Sequence, residues 1–379
     1  MPEFHSRFEK IDRRVPIDEH NCAVQFDVTK CKNCTLCRRA CADTQTVLDY
    51  YSLSSTGDMP ICVHCGQCSS ACPFGAIVEV NDVDKVKAAV KDPEKIVIFQ
   101  PAPAVRVGLG EAFGMDPGTF VEGKMVAALR TLGADYVFDT DFGADLTIME
   151  EATELLHRLQ SEEIPIPQFT SCCPAWVEFA ETFYPDLLQH LSSTKSPISI
   201  LSPVIKTYFA QQKNIDPKKI VNVCVTPCTA KKAEIRRPEL SAAGLFWDEP
   251  EIRDTDICIT TRELAQWIQD ENIDFANLED GQFDKAFGEA SGGGRIFGNS
   301  GGVMEAAIRT ASHMFTGRPA PKDFIPFEPV RGLQGVKKAT VIFGHFVLHV
   351  AAISGLGNAR AFIDDLIKND SFEDYSFIE

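Results

Sequence analysis

The sequence predicts an α+β protein: a small cysteine-rich domain over residues 1–85, followed by a larger α/β body over 86–379. Three observations carry this. Nine of the 14 cysteines lie between Cys22 and Cys72, and the other five between Cys172 and Cys258. The spacing C-x2-C-x2-C-x3-C occurs twice, from Cys31 and again from Cys62, with a linker of turn chemistry between. Beyond residue 85, short β-branched runs alternate with helical patterns, the texture of α/β units around a mainly parallel sheet.

Taken in order, residues 1–30 are charged and weakly patterned, and read as an arm packed on the cysteine-rich segment. The linker Ser52–Pro60 bends at Thr56-Gly57-Asp58. Strands are predicted at 96–99, 136–138, 164–169, 221–225 and 257–260. Helices are predicted at 122–132, 146–160, 175–190, 262–270 and 302–314, the last behind Asn299-Ser300-Gly301. Residues 338–353 read as two strands joined near Gly344-His345. The strand at 164–169 runs into Thr170-Ser171-Cys172-Cys173-Pro174, the one at 221–225 into Thr226-Pro227-Cys228, and the one at 96–99 into Pro101-Ala102-Pro103. Open α/β sheets bind ligands beyond the carboxyl ends of their strands. Cysteines at two such ends predict one metal site built from separated segments.

Composition narrows the function classes. A net charge of −17 with a pI near 5.0, and no Lys/Arg cluster, is the wrong footprint for nucleic acid. No stretch approaches about 18 apolar residues, so no membrane span is expected. The first thirty residues lack the apolar core of a secretory signal. A cytoplasmic location is therefore expected, and with it metal ligation instead of a disulfide framework.

The two runs match the spacing of bacterial ferredoxins, where three close thiolates hold one cluster and the fourth crosses to the other. By that rule Cys31, Cys34, Cys37 and Cys72 hold one 4Fe–4S cluster, and Cys62, Cys65, Cys68 and Cys41 the second. Paired zinc sites are the alternative, though those usually show two C-x2-C pairs well apart. Ala42, not Pro, follows Cys41. His64 reads as a loop residue and Cys22 as a packed thiol. Two adjacent clusters make an electron wire.

The blocks Thr170–Trp176 (TSCCPAW) and Thr226–Glu234 (TPCTAKKAE) resemble the first two signatures of FeFe hydrogenases. The resemblance extends through Pro101–Arg106, Gly298–Ala307 and Gly355–Ala359. It implies a hydrogenase body whose active centre, the H-cluster, is a 4Fe–4S cubane bridged through a cysteine to a di-iron unit carrying CO, cyanide and an azadithiolate. Carried over by position, Cys173 and Cys228 are cubane ligands and Cys172 is the proton-passing thiol. Lys231 would donate to a cyanide, a role suited to its compact ammonium. Ala102 and Pro103 would approach the di-iron unit, and Ser196 and Phe297 would complete the pocket wall. The resemblance implies catalysis of 2H⁺ + 2e⁻ ⇌ H2. Its partners would be a ferredoxin or similar small electron carrier, maturation proteins and, in some relatives, a small subunit. Such a subunit can bring an export signal and a periplasmic location. A hydrogenase-like protein of cluster assembly or sensing is the alternative.

On the predicted helix 146–160, Glu151, Glu154 and Arg158 border an apolar face. From the residues alone this is a solvated salt-bridge edge. The resemblance makes it a proton path in the order Cys172, Glu151, Ser192, Glu154, Arg158, with solvent beyond. Three departures stand out. Thr226 replaces a Met of the family signature, and Ala175 fills a position that is often Gly. The family's third cysteine motif, which supplies the other two cubane ligands, is absent; the sequence is expected to be truncated just before it, so the H-cluster is conditional on those ligands. The rivals are ligands from a partner or a site without a normal H-cluster. Cys224 and Cys258 read as buried small residues. Gly108-Leu109-Gly110 and Gly292-Gly293-Gly294 fit no nucleotide fingerprint, and His157, His190, His345 and His349 are assigned no role.

Overall fold

The computed structural model describes residues 13–161, 164–329 and 335–379. The start of the predicted arm, residues 1–12, lies outside them. In the N-terminal unit, β1 (Val24–Phe26) and β2 (Ile77–Glu79) pair antiparallel. Between them each cysteine run coils through one helical turn, Leu36–Arg39 or Gln67–Ser70. Each turn starts behind a left-handed residue, Thr35 (φ 73°) or Gly66 (φ 72°), which reverses the chain and brings close cysteines round.

The body strands are β3 (Ile96–Pro101), β4 (Tyr136–Val137), β5 (Gln168–Phe169), β6 (Ile220–Thr226), β7 (Ile257–Thr260), β8 (Glu328–Pro329), β9 (Val336–Phe343), β10 (Phe346–Ile353) and β11 (Phe377–Ile378). The helices that matter below are α1 (Val83–Lys91), α2 (Glu122–Thr131), α3 (Thr140–Gln160), α4 (Pro174–Phe183), α5 (Pro197–Val204), α6 (Lys231–Glu234), α7 (Thr261–Asp270), α8 (Gly302–Thr316) and α9 (Leu356–Asn369).

One sheet, in the order β4-β3-β6-β7, is wholly parallel. Phe99, Met125, Leu129, Val223 and Leu264 pack in the core on one of its faces, and Ile98, Phe138, Leu201 and Phe209 pack on the other. Cover on both faces explains why its strands read as unbroken apolar runs. The second sheet, β5-β11-β10-β9-β8, is mixed: β5, β11 and β10 run parallel, while β9 and β8 are antiparallel additions. The β9–β10 hairpin turns at Gly344 (φ 57°), where the sequence places it. Helix α3 is the spine between these layers. Gly143 lets it approach α5, because a Cβ there would lie 2.3 Å from the Pro197 carbonyl oxygen.

Several elements differ from expectation. α3 begins six residues before the predicted start, capped by the Asp139 carboxylate on the Asp141 N–H. The strand expected at 164–169 pairs only at Gln168 and Phe169, since Pro165 and Pro167 have no N–H to give. The helix expected at 175–190 stops at Phe183 and resumes as a 3₁₀ turn from Pro185, a residue that excludes helical backbone before it. Val83 and Val86 of α1 sit in the body core, so that core begins ahead of residue 86. Among the described residues no helix is long and apolar enough to cross a membrane.

Candidate metal centre

Cys31, Cys34, Cys37 and Cys72 line one small cavity with Phe26 and Ile77, and Cys34 is exposed. Cys41, Cys62, Cys65 and Cys68 form a second group whose thiols lie close enough to act on one another's charge. These are the two sets that the spacing rule predicts. Burial pushes the Cys41 thiol up to about 11 and Cys65 to about 12, and neighbouring thiols add to it. Four such groups in one place cannot ionise together unless a multiply charged cationic core neutralises them. Among the described residues, no three His, Cys, Asp or Glu side chains converge as a single ion requires. The donor sets therefore fit iron–sulfur clusters.

The second thiol site lies at the carboxyl ends of β5, β10 and β11, where a cavity of about 360 Å³ opens between the two units. Cys172 and Cys173 enter it from the loop after β5, and Cys228 from the loop after β6. Cys65 reaches it from the N-terminal unit, while Phe169, Trp176 and Leu356 supply apolar wall. The two cysteine motifs thus meet as expected. The chamber is open, not sealed, in the described residues: Cys173 is exposed and Cys172 half-buried. Two thiols, Cys173 and Cys228, suit a cubane here. Cys224 and Cys258 face one another across β6 and β7, packed against Ile198, and cannot serve it.

The other predicted wall residues do not line this cavity. Ala102 leaves β3 with its N–H bonded to the Val225 carbonyl, which ties the proline turn to the strand leading to Cys228. Pro103 faces Gly298, beside Phe297. Ser196 caps α5 and donates to Glu234 Oε1, as does Ser199 at 2.8 Å. Glu234 in turn pairs with Lys231, whose Nζ donates to the Cys172 carbonyl at 2.9 Å. This string holds the lysine beside Cys172.

The stripe of Glu151, Glu154, Ser192 and Arg158 is brought together beside Cys172, with Arg158 placed differently from expectation. Glu151 is wholly buried; no donor meets either carboxylate oxygen at full hydrogen-bond geometry, but the Ser192 hydroxyl and the Ser171 N–H lie near enough to favour its charged form. Burial first, and the Glu154 charge second, push its carboxyl up to about 8. Burial and the Glu151 charge raise the Cys172 thiol, leaving it a neutral S–H. Ser192 Oγ donates to Glu154 Oε2 at 2.9 Å, and Arg158 grips Glu154 Oε1 at 2.7 and 3.1 Å. Arg158, however, is not the step before solvent. It is 4% exposed, and its remaining N–H groups are spent on the carbonyls of Pro165, Gln189 and Leu191. The exposed group on Glu154 is Ser193, whose N–H and Oγ lie 3.0 and 3.1 Å from Oε2. A guanidinium saturated in this way orients the carboxylate and relays no proton.

Glu379 went unnoticed in the sequence. Its carboxylate accepts the N–H groups of Gly301 (2.9 Å) and Met304 (2.8 Å) at the start of α8, and it lines the thiol cavity. Burial pushes it up to about 7 despite these bonds. The glycine-led start of α8 signals a need for a cap, but nothing local names a partner 75 residues away.

Fold and site together define a protein of the iron–sulfur class. The model for the iron only hydrogenase large subunit, C-terminal domain, matches residues 95–379, and that for a 4Fe-4S binding domain matches 58–78. The chain belongs to the iron-only hydrogenase large-subunit family. It is 45% identical to the NADP-reducing hydrogenase subunit HndD of Solidesulfovibrio fructosivorans, over 91% of this chain and 60% of that protein. It is 44% identical to the periplasmic Fe hydrogenase large subunit of Nitratidesulfovibrio vulgaris, over 84% and 81%. The apo FeFe-hydrogenase HydA1 of Chlamydomonas reinhardtii superposes with a TM-score of 0.70 at 39% identity, covering 79% of this chain and 81% of that one. A more distant relative, 30% identical over 80% of this chain and 65% of its own length, is the cytosolic iron-sulfur assembly component 3 of Bos taurus.

Proposed function

We propose that this chain catalyses 2H⁺ + 2e⁻ ⇌ H2 as a hydrogenase subunit with two N-terminal 4Fe–4S clusters. An H-cluster, held in part by Cys173 and Cys228 with further ligands completing it, would supply the hydride chemistry when bound. The observation that carries the reading is the wholly buried Glu151 carboxyl, close enough to act on the thiol of Cys172, which lines the cavity with Cys173 and Cys228. The chain's own part is proton supply. A proton taken up at Glu154 from the Ser193 side passes through the Ser192 hydroxyl to Glu151, and from there to the Cys172 thiol. Glu151, raised to about 8, is protonated over most of the neutral range and able to exchange. Lys231 keeps a positive charge beside the cavity. A ferredoxin-type carrier is the expected electron partner.

Infrared spectra of full-length, matured protein test this directly. Bands of metal-bound CO and cyanide together with H2 evolution support it. Intact 4Fe–4S signals without those bands favour an assembly or sensing role, the reading that the assembly-component relative suggests. Glu154→Gln is expected to slow turnover at least tenfold or so with iron content unchanged; parental rates in that variant would remove Glu154 from the path.

A further inference from the structure

We infer that electrons cross from the N-terminal unit to the thiol cavity through one hydrogen bond, from the Thr229 hydroxyl to the His64 carbonyl, and that Thr229 is the positioning residue for this crossing. The inference rests on the redox reading above and adds a route to it.

Among the described residues, Cys65 is the one cysteine of the N-terminal unit that lines the cavity shared by Cys173 and Cys228. The 2.7 Å bond from Thr229 Oγ1 ends on the His64 carbonyl, which belongs to the peptide bond leading into Cys65. Thr229 is itself joined by a peptide bond to Cys228. A single hydrogen bond therefore connects the residues bonded directly to one thiol of each site. Thr229 is 5% exposed, so water does not compete for it.

The loop is built around this contact. Gly66 has φ 72°, and a Cβ there would stand 2.5 Å from Thr229 Oγ1, so the approach needs glycine on both counts. A second tether runs from His64 Nδ1 to Glu178 Oε2 at 2.7 Å. Glu178 lies on α4, whose first residue follows Cys173. The segment His64–Gly66 is thus fastened beside both body thiols. Electron transfer weakens steeply across each through-space gap, and a short hydrogen bond replaces such a gap here. One electron moves per step and no bond forms or breaks; the electron comes from a low-potential one-electron donor.

The test compares Thr229→Val, which keeps shape and removes the donor, with Thr229→Ser, which keeps the hydroxyl. Full-length, iron-loaded protein is mixed with dithionite, and rapid-freeze electron paramagnetic resonance follows the N-terminal clusters and the Cys173/Cys228 site separately. Thr229→Val should slow reduction of the second site about tenfold, with the N-terminal signals, their potentials and the melting temperature unchanged. Thr229→Ser should restore the parental rate. Gly66→Ala should slow it likewise, which guards against a valine-specific folding defect. Parental rates in Thr229→Val overturn the inference alone. A Cys173/Cys228 signal missing even from the parent overturns the redox reading, and this inference with it.

Discussion

Glu151→Gln is expected to cut H2 turnover by roughly 10²- to 10⁴-fold, the usual worth of a positioned proton-transfer group. The amide matches the carboxyl in shape, so the cavity and the iron content should persist, as electron paramagnetic resonance of both N-terminal clusters would show. The same substitution makes a second prediction that needs no metal. The Glu151 carboxyl titrates at about 8 in the fold, against an ordinary value of 4.5. Between those values the folded chain binds more protons than the unfolded one, so stability falls as pH rises through that window. Gln carries no such proton. The variant should lose less melting temperature than the parent between pH 5 and pH 8.5. Glu379, raised to about 7, keeps part of the dependence in both proteins. An identical decline in parent and variant, or undiminished turnover, would show that Glu151 is not the buried relay.

Legibility in the sequence divides along a physical line. The parallel strands were readable because burial on both faces makes β3, β6 and β7 continuous apolar runs. The cysteine groups were readable because ligand spacing is local, and Cys31–Cys41 and Cys62–Cys72 fold as compact turns. β8 and β11 were not, because two-residue strands exist only through pairing with β9 and β10. The early start of α3 was hidden by Gly143, a poor helix former retained for the approach of α5. Helical spacing placed Glu151, Glu154 and Arg158 along one edge, and the edge is real. Spacing could not show that a loop some thirty residues on saturates Arg158 and sets Ser193 on Glu154 instead. Glu379 and the Thr229–His64 bond were invisible for the same reason: each joins segments with no shared periodicity.

The adjacent lysines of TPCTAKKAE carry the other large effect, and they face different tasks. Lys231 turns to the Cys172 carbonyl and Glu234. Lys232 is 1% exposed and points into the seam between the N-terminal unit and the parallel sheet, where Nζ meets Asp82 Oδ2 at 2.8 Å, Glu263 Oε2 at 2.9 Å and the Cys258 carbonyl at 2.8 Å. Glu263 also accepts the N–H groups of Asp82 and Thr260, closing the capping box of α7. Lys232→Met would leave the Glu263 carboxylate buried beside Asp82, with the exposed Lys85 on Asp82 Oδ1 as the remaining cation. The expected cost is about 3–5 kcal/mol, typical of breaking a buried charge network from one side, read as a lower urea midpoint with an unchanged slope. Because the loss is mostly uncompensated charge, adding Asp82→Asn and Glu263→Gln to Lys232→Met should recover much of it. The mirrored substitution, Lys231→Met, leaves this seam intact and should act chiefly on the cavity. A Lys232→Met protein as stable as its parent, or one that the added amides fail to improve, would mean the seam is held by packing alone and that the second lysine of the motif is dispensable to the fold.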